Sequence, residues 1–436
     1  MSWRRGTRLE RGSPGDQRPL SGWVKGEHLF RHEYGRLVAV LSRRVGVQHL
    51  EAVEDAVQSA MMAALQSWQV DGEPTNPSAW LYRVAQRRLI DELRRRAGRG
   101  RILAQHSGEL GAASSNDMQE PFLSGEVRDS MLRMLFVCCD GSIPLESQLV
   151  FALKTLCGFN VGEIAERLFM SESNVYKRLA RARQRLRRLA SHEDVEAAQL
   201  VLRLPSVQKV LYLLFTEGYL SSRADQAIRR ELCEEAIRLT TLLVDHPVGA
   251  HPESFALLAL MHLHTARVAA REDASGGLLL LEEQDRGRWD RGRIQTGLGW
   301  LARSASGDHF SRYHAEAGIA AEHCLAPSFA QTRWDRVAEC YAMLEREAPS
   351  AIHRLNRAVA VAEWKGAAEG LVVLEGFEPP TWLAGSYLWS AVLADLHRRA
   401  GQVDAAARYC QAALEAAPTP EVKALLARRL AIGDPS

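Results

Sequence analysis

The chain has 436 residues, room for about three domains. Its 46% hydrophobic and 25% charged residues are those of a folded, water-facing protein rather than a disordered or membrane-spanning one. Seven cysteines, with only Cys138 and Cys139 adjacent and none in a CxxC, exclude a disulfide framework and the usual zinc spacings, and fit a reducing cytoplasm. The net charge of +2 averages over two basic segments in the first half, an asymmetry that points to an anionic partner reached at two places.

Residues 1–21 are basic and lack the apolar core of a signal peptide, so a disordered tail is expected there. No apolar run is long enough for a bilayer, and the expectation is a soluble, cytoplasmic protein with no membrane partner. Residues 22–97 read as a helical domain. In HLEAVEDAVQSAMMAALQSW, apolar residues recur at Val53, Ala56, Ala60, Ala63 and Ala64, a helical period with an acidic start. QVDGEPTNP (69–77) carries a glycine and two prolines and reads as a loop.

NPSAWLYRVAQRRLIDELRRR (76–96) follows. Asn76 is a good N-cap, and Pro77 suits the first helical position. Trp80, Arg83, Arg87, Asp91 and Arg94 share one face of that helix, while Leu81, Ala85, Leu89 and Leu93 form another that can pack inward. Guanidinium binds phosphate through two bonds, and an indole offers an unpaired base a stacking surface. A solvated arginine face with Trp80 half buried fits this helix equally well.

Residues 98–128 are rich in Gly, Ser and Ala without a period and read as a flexible linker. Residues 129–190 form a second helical domain with the order of a helix-turn-helix. Val161 to Leu168 make the supporting helix, with Ile164, Ala165 and Leu168 inward, and Phe169 and Met170 the turn. Ser171 caps a second helix carrying Val175 and Leu179 inward, which leaves Ser173, Asn174, Tyr176, Lys177, Arg178 and Arg181 outward. From Tyr176 to Arg188 there are seven basic residues and no acid. The N-terminal residues of such a helix can reach base edges, and Arg181, Arg183 and Arg185 can touch phosphates.

From 191 to 436 alanine, leucine and glutamate dominate and strand patterns are scarce. In SYLWSAVLADLHRRAGQVDAAARYCQAALEAAP one helix ends at Gly401, small Ala406 and Ala413 allow close helix approach, and Pro418 closes the second helix. This resembles the tetratricopeptide repeat, with weaker copies around Gly366 and up to Pro349 that match a period of about 34 residues only loosely. The fold class expected is therefore all-α: two small helical domains joined by a flexible linker, then a large TPR-like helical extension whose concave surface suits a protein or peptide partner.

In their order and spacing these motifs resemble the ECF (extracytoplasmic function) sigma factors, initiation subunits of bacterial RNA polymerase. EDAVQSAMMAALQSW (54–68) is similar to the polymerase-binding helix, NPSAWLYRVAQRRLIDELRRR to the part that recognises and melts the minus-ten element, and GEIAERLFMSESNVYKRLARARQRL to the minus-thirty-five reader. The resemblance implies core RNA polymerase and promoter DNA as partners, with contacts to the clamp coiled coil and the flap. By the same resemblance, Asp55 and Gln58 would face the clamp coiled coil, and the loop from Asp71 to Asn76 would capture a flipped base. Asn76, Trp80, Arg83, Arg87 and Arg88 would hold minus-ten DNA. Ser173, Asn174, Lys177, Arg178 and Arg181 would read the upstream element. Ser59 departs from the acid usual in the family, and Met62 from a common aromatic. VLYLLFTEGYLS (210–221), LCEEAIRL (232–239), LLLLEEQDRGRWDR (278–291) and LNRAVAVAEWKGAAEGL (355–371) resemble the C-terminal extension of one ECF subgroup.

Other features favour structure over chemistry. LEEQDRGRWDR reads as a salt-bridged turn with Trp289 in the core, rather than a contact surface or ligand pocket. His262 and His264, two apart on a helix, diverge and do not make a metal site with His246 and His251. Glu217 and Asp225 lack a nucleophile, a phosphate loop or metal spacing, so no cofactor, no metal and no catalysed reaction are expected. A reading from another class stays open: a TPR-type adaptor whose sigma-like half no longer engages polymerase.

Overall fold

The computed structural model of the protein describes residues 21–96, 124–168, 170–189, 197–219, 229–273, 279–307, 309–418 and 420–430. The expected tail up to residue 20, most of the expected linker, Phe169 of the expected turn and Asp225 lie outside them. Every regular element among the described residues is helical. They divide into two compact units, one drawn from Met1–Met131 with Leu153–Asn160, the other from Leu132–Ala152 with Val161–Ser436.

In the first unit α1 (Ser21–Val45), α2 (Leu50–Asp71) and α3 (Pro77–Arg96) pack around one core. Leu81, Ala85 and Leu89 are fully buried and Leu93 nearly so, the every-fourth-residue stripe read from the sequence. Buried Ala56, Ala60 and Ala64 on α2 keep the facing side small, and α3 packs on α2. Ala63 belongs less to that stripe, being only partly buried.

Residues 153–160 complete this unit. Thr155 Oγ1 donates to Glu54 Oε1 at 3.0 Å, with both side chains buried. Gly35 lies so close to this segment that a Cβ there would sit 2.0 Å from the Leu156 carbonyl oxygen. A Gly35→Ala variant is therefore expected to lose about 1–3 kcal/mol of stability through overpacking. Denaturant unfolding measures it, and an unchanged midpoint would mean that the segment does not pack there.

The next helix, α4 (Ser124–Cys138), begins inside the stretch expected to be linker; its residues up to Met131 belong to the first unit and the rest to the second. Val127, Met131 and Leu135 are buried at helical spacing, so the period extends back past Arg128, where Gly125 masks it in the sequence. Next come α5 (Leu145–Thr155), α6 (Val161–Arg167) and α7 (Glu172–Leu189). The extension opens with α8 (Ala197–Tyr219), α9 (Arg230–Val244) and α10 (Pro252–Thr265), and continues with α11 (Arg291–Ser304) and α12 (Arg312–Leu325). Almost every residue of α10 is buried, because α8, α9, α11 and α12 all pack against it. A helix enclosed on all sides shows no polar face in its sequence.

Beyond α12 the chain runs in helical hairpins: α13 (Trp334–Glu347) with α14 (Ala351–Lys365), α14 with α15 (Ala367–Leu374), and, after the single turn α16 (Thr381–Ala384), α17 (Tyr387–Arg399) with α18 (Val403–Glu415). The last helix is α19 (Pro420–Leu430). Gly366 and Gly401 make the tight turns with φ of 100° and 75°, a left-handed conformation that glycine adopts without strain. Ala406 and Ala413 are buried as expected. Arg203 on α8 forms an ion pair with Asp140 and donates to the Phe136 carbonyl at 3.4 Å, tying the extension to the end of α4.

Candidate nucleic-acid interface

The first basic helix is set by its cap. Asn76 Oδ1 accepts from the Ala79 amide at 3.0 Å and its carbonyl from the Trp80 amide at 3.1 Å, with Pro77 in the first helical position. Asn76 remains exposed, as do Asp71, Gly72, Glu73 and Thr75 of the preceding loop.

The arginines of α3 sort into two groups. Near its C-terminus Arg94 lies 3.9 Å from Asp91, and Arg95 pairs with Glu92, so the acids of the helix offset its tail. Arg83, Arg87 and Arg88 are exposed, and no acid pairs with them among the described residues. Their field is available to an anion. Trp80 is half buried rather than a free platform. It meets the edge of Trp68 at 5.6 Å, and Trp68 stacks on Phe30 at 5.6 Å. Trp68 was not legible as a site residue, because only the fold brings the last turns of α2 beside Trp80.

On α2 the outward residues Asp55 and Gln58 are exposed, with Ser59 intermediate and Met62 exposed. Glu54, the first residue of the motif, turns inward to Thr155 instead.

The helix-turn-helix is built as the sequence implies. The Asn174 amide donates to Ser171 Oγ at 3.3 Å and to its carbonyl at 2.9 Å, so Ser171 caps α7. Val175, Leu179, Ala182 and Leu186 are buried in one stripe, and Ile164 and Ala165 face them from α6. Leu168 is only partly buried. Ser173, Tyr176, Lys177 and Arg181 are exposed as expected.

Two residues expected outward differ. Asn174 is half covered, because it sits one turn after the capping Ser171. Arg178 is also drawn in: its side chain is 20% exposed, and Nη1 lies 3.1 Å from Glu146 Oε2 at the start of α5. Glu146 gave no signal in the sequence, where it stands on a different helix. Lys177, Arg181 and Arg185 have no such acid among the described residues.

The profile for sigma-70 region 2 matches residues 29–99, and that for sigma-70 region 4 matches residues 138–186. The ECF RNA polymerase sigma factor SigL of Mycobacterium tuberculosis is 30% identical over 163 residues, 36% of this chain and 87% of that protein. The chain belongs to the ECF RNA polymerase sigma factor family. The sigma factor also matches a family of unknown function, DUF6596, over residues 203–305. The uncharacterized protein R00370 of Rhizobium meliloti is 35% identical over 334 residues, 75% of the sigma factor and 78% of that protein. No solved structure matches it. Residues 138–186 thus form the DNA-binding region 4 of a transcription initiation factor.

Features set aside in the sequence find structural roles in the sigma factor. Trp289 is buried in a core cluster with Leu260, Leu263 and Ile294. Its acidic neighbours cap and bridge: Asp285 accepts from the Gly287 amide at 2.8 Å, Asp290 accepts from the Arg293 amide at 3.0 Å and lies 3.7 Å from the Arg293 guanidinium, and Glu283 lies 2.9 Å from Arg428. Burial lowers His262 to about 4 and His264 to about 3. Among the described residues no three metal-ligating side chains gather. Desolvation lifts Glu217 to about 7. No described helix is long and apolar enough to cross a membrane.

Proposed function

We propose that this sigma factor binds core RNA polymerase through α2, with Asp55 and Gln58 toward the clamp coiled coil, and has no reaction of its own. Domain limits of 22–97 for region 2, 129–190 for region 4 and 191–436 for the extension belong to this reading. Asn76, Trp80, Arg83, Arg87 and Arg88 hold and melt minus-ten DNA. Ser173, Asn174, Lys177, Arg178 and Arg181 read the minus-thirty-five element. The observation that carries the proposal is that exposed cations without a paired acid among the described residues occur on both expected DNA helices: Arg83, Arg87 and Arg88 on α3, and Lys177 and Arg181 on α7. Backbone phosphates are the natural counter-ions of such groups.

Co-purification with core polymerase and run-off transcription test it. A chain that never co-elutes with core would be an adaptor instead. The exposed Trp364, Val372, Trp382 and Val403 of the hairpins support a protein or peptide partner for the extension.

The extension enables activity in this reading, because Arg203 supplies the partner of buried Asp140. Truncation near His192 leaves that carboxylate without its cation, a loss of about 3–5 kcal/mol for a buried pair. Lost transcription is the expected result, and higher transcription would mean that the extension inhibits. Adding Asp140→Asn to the truncated chain separates folding from function: recovered stability without recovered transcription assigns the extension a role at polymerase.

A further inference from the structure

Three arginines of the extension sit in its interior without a carboxylate at ion-pair distance among the described residues. Arg267 and Arg271 are each 8% exposed. Arg286 is half buried and connects the group to solvent. Their polar contacts are thin. Among the described residues Arg267 donates only to Gln284 Oε1, at 3.3 and 3.4 Å. Arg271 donates to the Tyr219 carbonyl at 2.6 Å, and its guanidinium lies 4.0 Å from the Tyr219 ring centroid. Arg286 donates to the His323 and Ala326 carbonyls at 2.5 and 2.8 Å.

The group has a centre. Arg267 and Arg286 lie against the same indole, 5.3 and 4.6 Å from Trp289. Around it, Arg286 Nη2, Trp289 Nε1 and the Nδ1 atoms of His264 and His323 are buried and have no hydrogen-bond partner among the described residues. Burial, then the field of Arg267, holds His264 and His323 down to about 3, so both rings are neutral at physiological pH. They add hydrogen-bonding capacity without adding charge.

Buried cations are ordinarily matched by a carboxylate, because an uncompensated one costs several kcal/mol. Buried donors ordinarily find an acceptor. A guanidinium pair with neutral N–H donors beside it is complementary in charge and geometry to a tetrahedral oxyanion.

We propose that the extension binds a small phosphate-type oxyanion, free or carried on a metabolite, between Arg267 and Arg286 beside Trp289, with Arg271 reinforcing the field. The site is remote in sequence from the promoter-reading helices, and the proposal does not depend on the contacts assigned to them. It makes the extension a receptor for a soluble anionic ligand.

The test uses the full chain with inorganic phosphate as the probe, against sodium chloride at matched ionic strength. At a hundredfold excess over Kd, the melting transition of the extension is expected to rise by roughly 5–10 °C in the parent. Arg267→Met should abolish the rise without lowering the starting transition, since removing an uncompensated buried charge is neutral or stabilising. Arg303→Ala, a cation over Phe255 and Trp300 outside the cluster, should keep the full rise.

An equal rise in parent and Arg267→Met would be a general salt effect and would overturn the proposal. So would a parent that does not respond. An Arg267→Met chain that is strongly destabilised would make the arginine structural. Isothermal titration of the parent with phosphate stands apart from every variant: a saturable single-site curve supports the site, and its absence removes it. A glycerol-phosphate arm distinguishes a metabolite from the free ion, with tighter binding expected if the natural ligand is an ester.

Discussion

Arg178→Ala is expected to weaken use of the cognate promoter by about 1–3 kcal/mol, roughly 5- to 150-fold, as the loss of one bidentate base contact. Run-off transcription with core polymerase measures it, and equal transcription by variant and parent would remove Arg178 from the reading set. The structure adds a competitor to this expectation. Glu146 lies 3.1 Å from the Arg178 guanidinium, so the proposed base contact has to take the arginine from that acid. Because Glu146 is largely exposed, the pair contributes no more than about 1 kcal/mol. Glu146→Gln should therefore tighten duplex binding modestly, by no more than that amount, because the guanidinium no longer leaves an acid to reach a base edge. If the two substitutions gave the same effect in either direction, the competition between Glu146 and DNA would be wrong.

Trp289→Ala is expected to cost about 3–5 kcal/mol of stability in the extension, the usual loss for a large aromatic removed from a core. Trp289 is 3% exposed and packs with Leu260, Leu263 and Ile294 from two helices. Arg267 and Arg286 both lie against its ring, so its loss also removes a cation–π partner from each. Denaturant unfolding should show an early transition for the extension while region 2 stays folded. A midpoint unchanged to within about 0.5 kcal/mol would show that the indole is not part of the core, since only surface substitutions are usually so mild.

Much of the candidate nucleic-acid interface was legible because local rules govern it. Asn76, Pro77 and Ser171 announce helix starts through capping chemistry that acts within one turn. The stripes Leu81–Ala85–Leu89–Leu93 and Val175–Leu179 announce inward faces through helical periodicity alone. The outward positions of Arg83, Arg87, Lys177 and Arg181 follow from those stripes. What stayed hidden depends on residues distant in sequence. Arg178 looks like Arg181 on a helical projection, yet an acid on α5 draws in only the first. Trp80 looks like a free stacking surface until α2 brings Trp68 against its edge.

By itself, then, the sequence determined the helical class, the two basic helices, their caps and the family to which the chain belongs. These rest on patterns that repeat every turn and on motifs that are contiguous. Only the tertiary structure decided which charges are spoken for. Glu54 turns from α2 to Thr155, Arg203 answers Asp140, and Arg267 and Arg286 meet at one indole with no acid at ion-pair distance among the described residues. The physical reason is range: helical packing is encoded by neighbours three and four residues apart, whereas the pairing or isolation of a charge depends on whichever distant side chain the fold brings within about 4 Å.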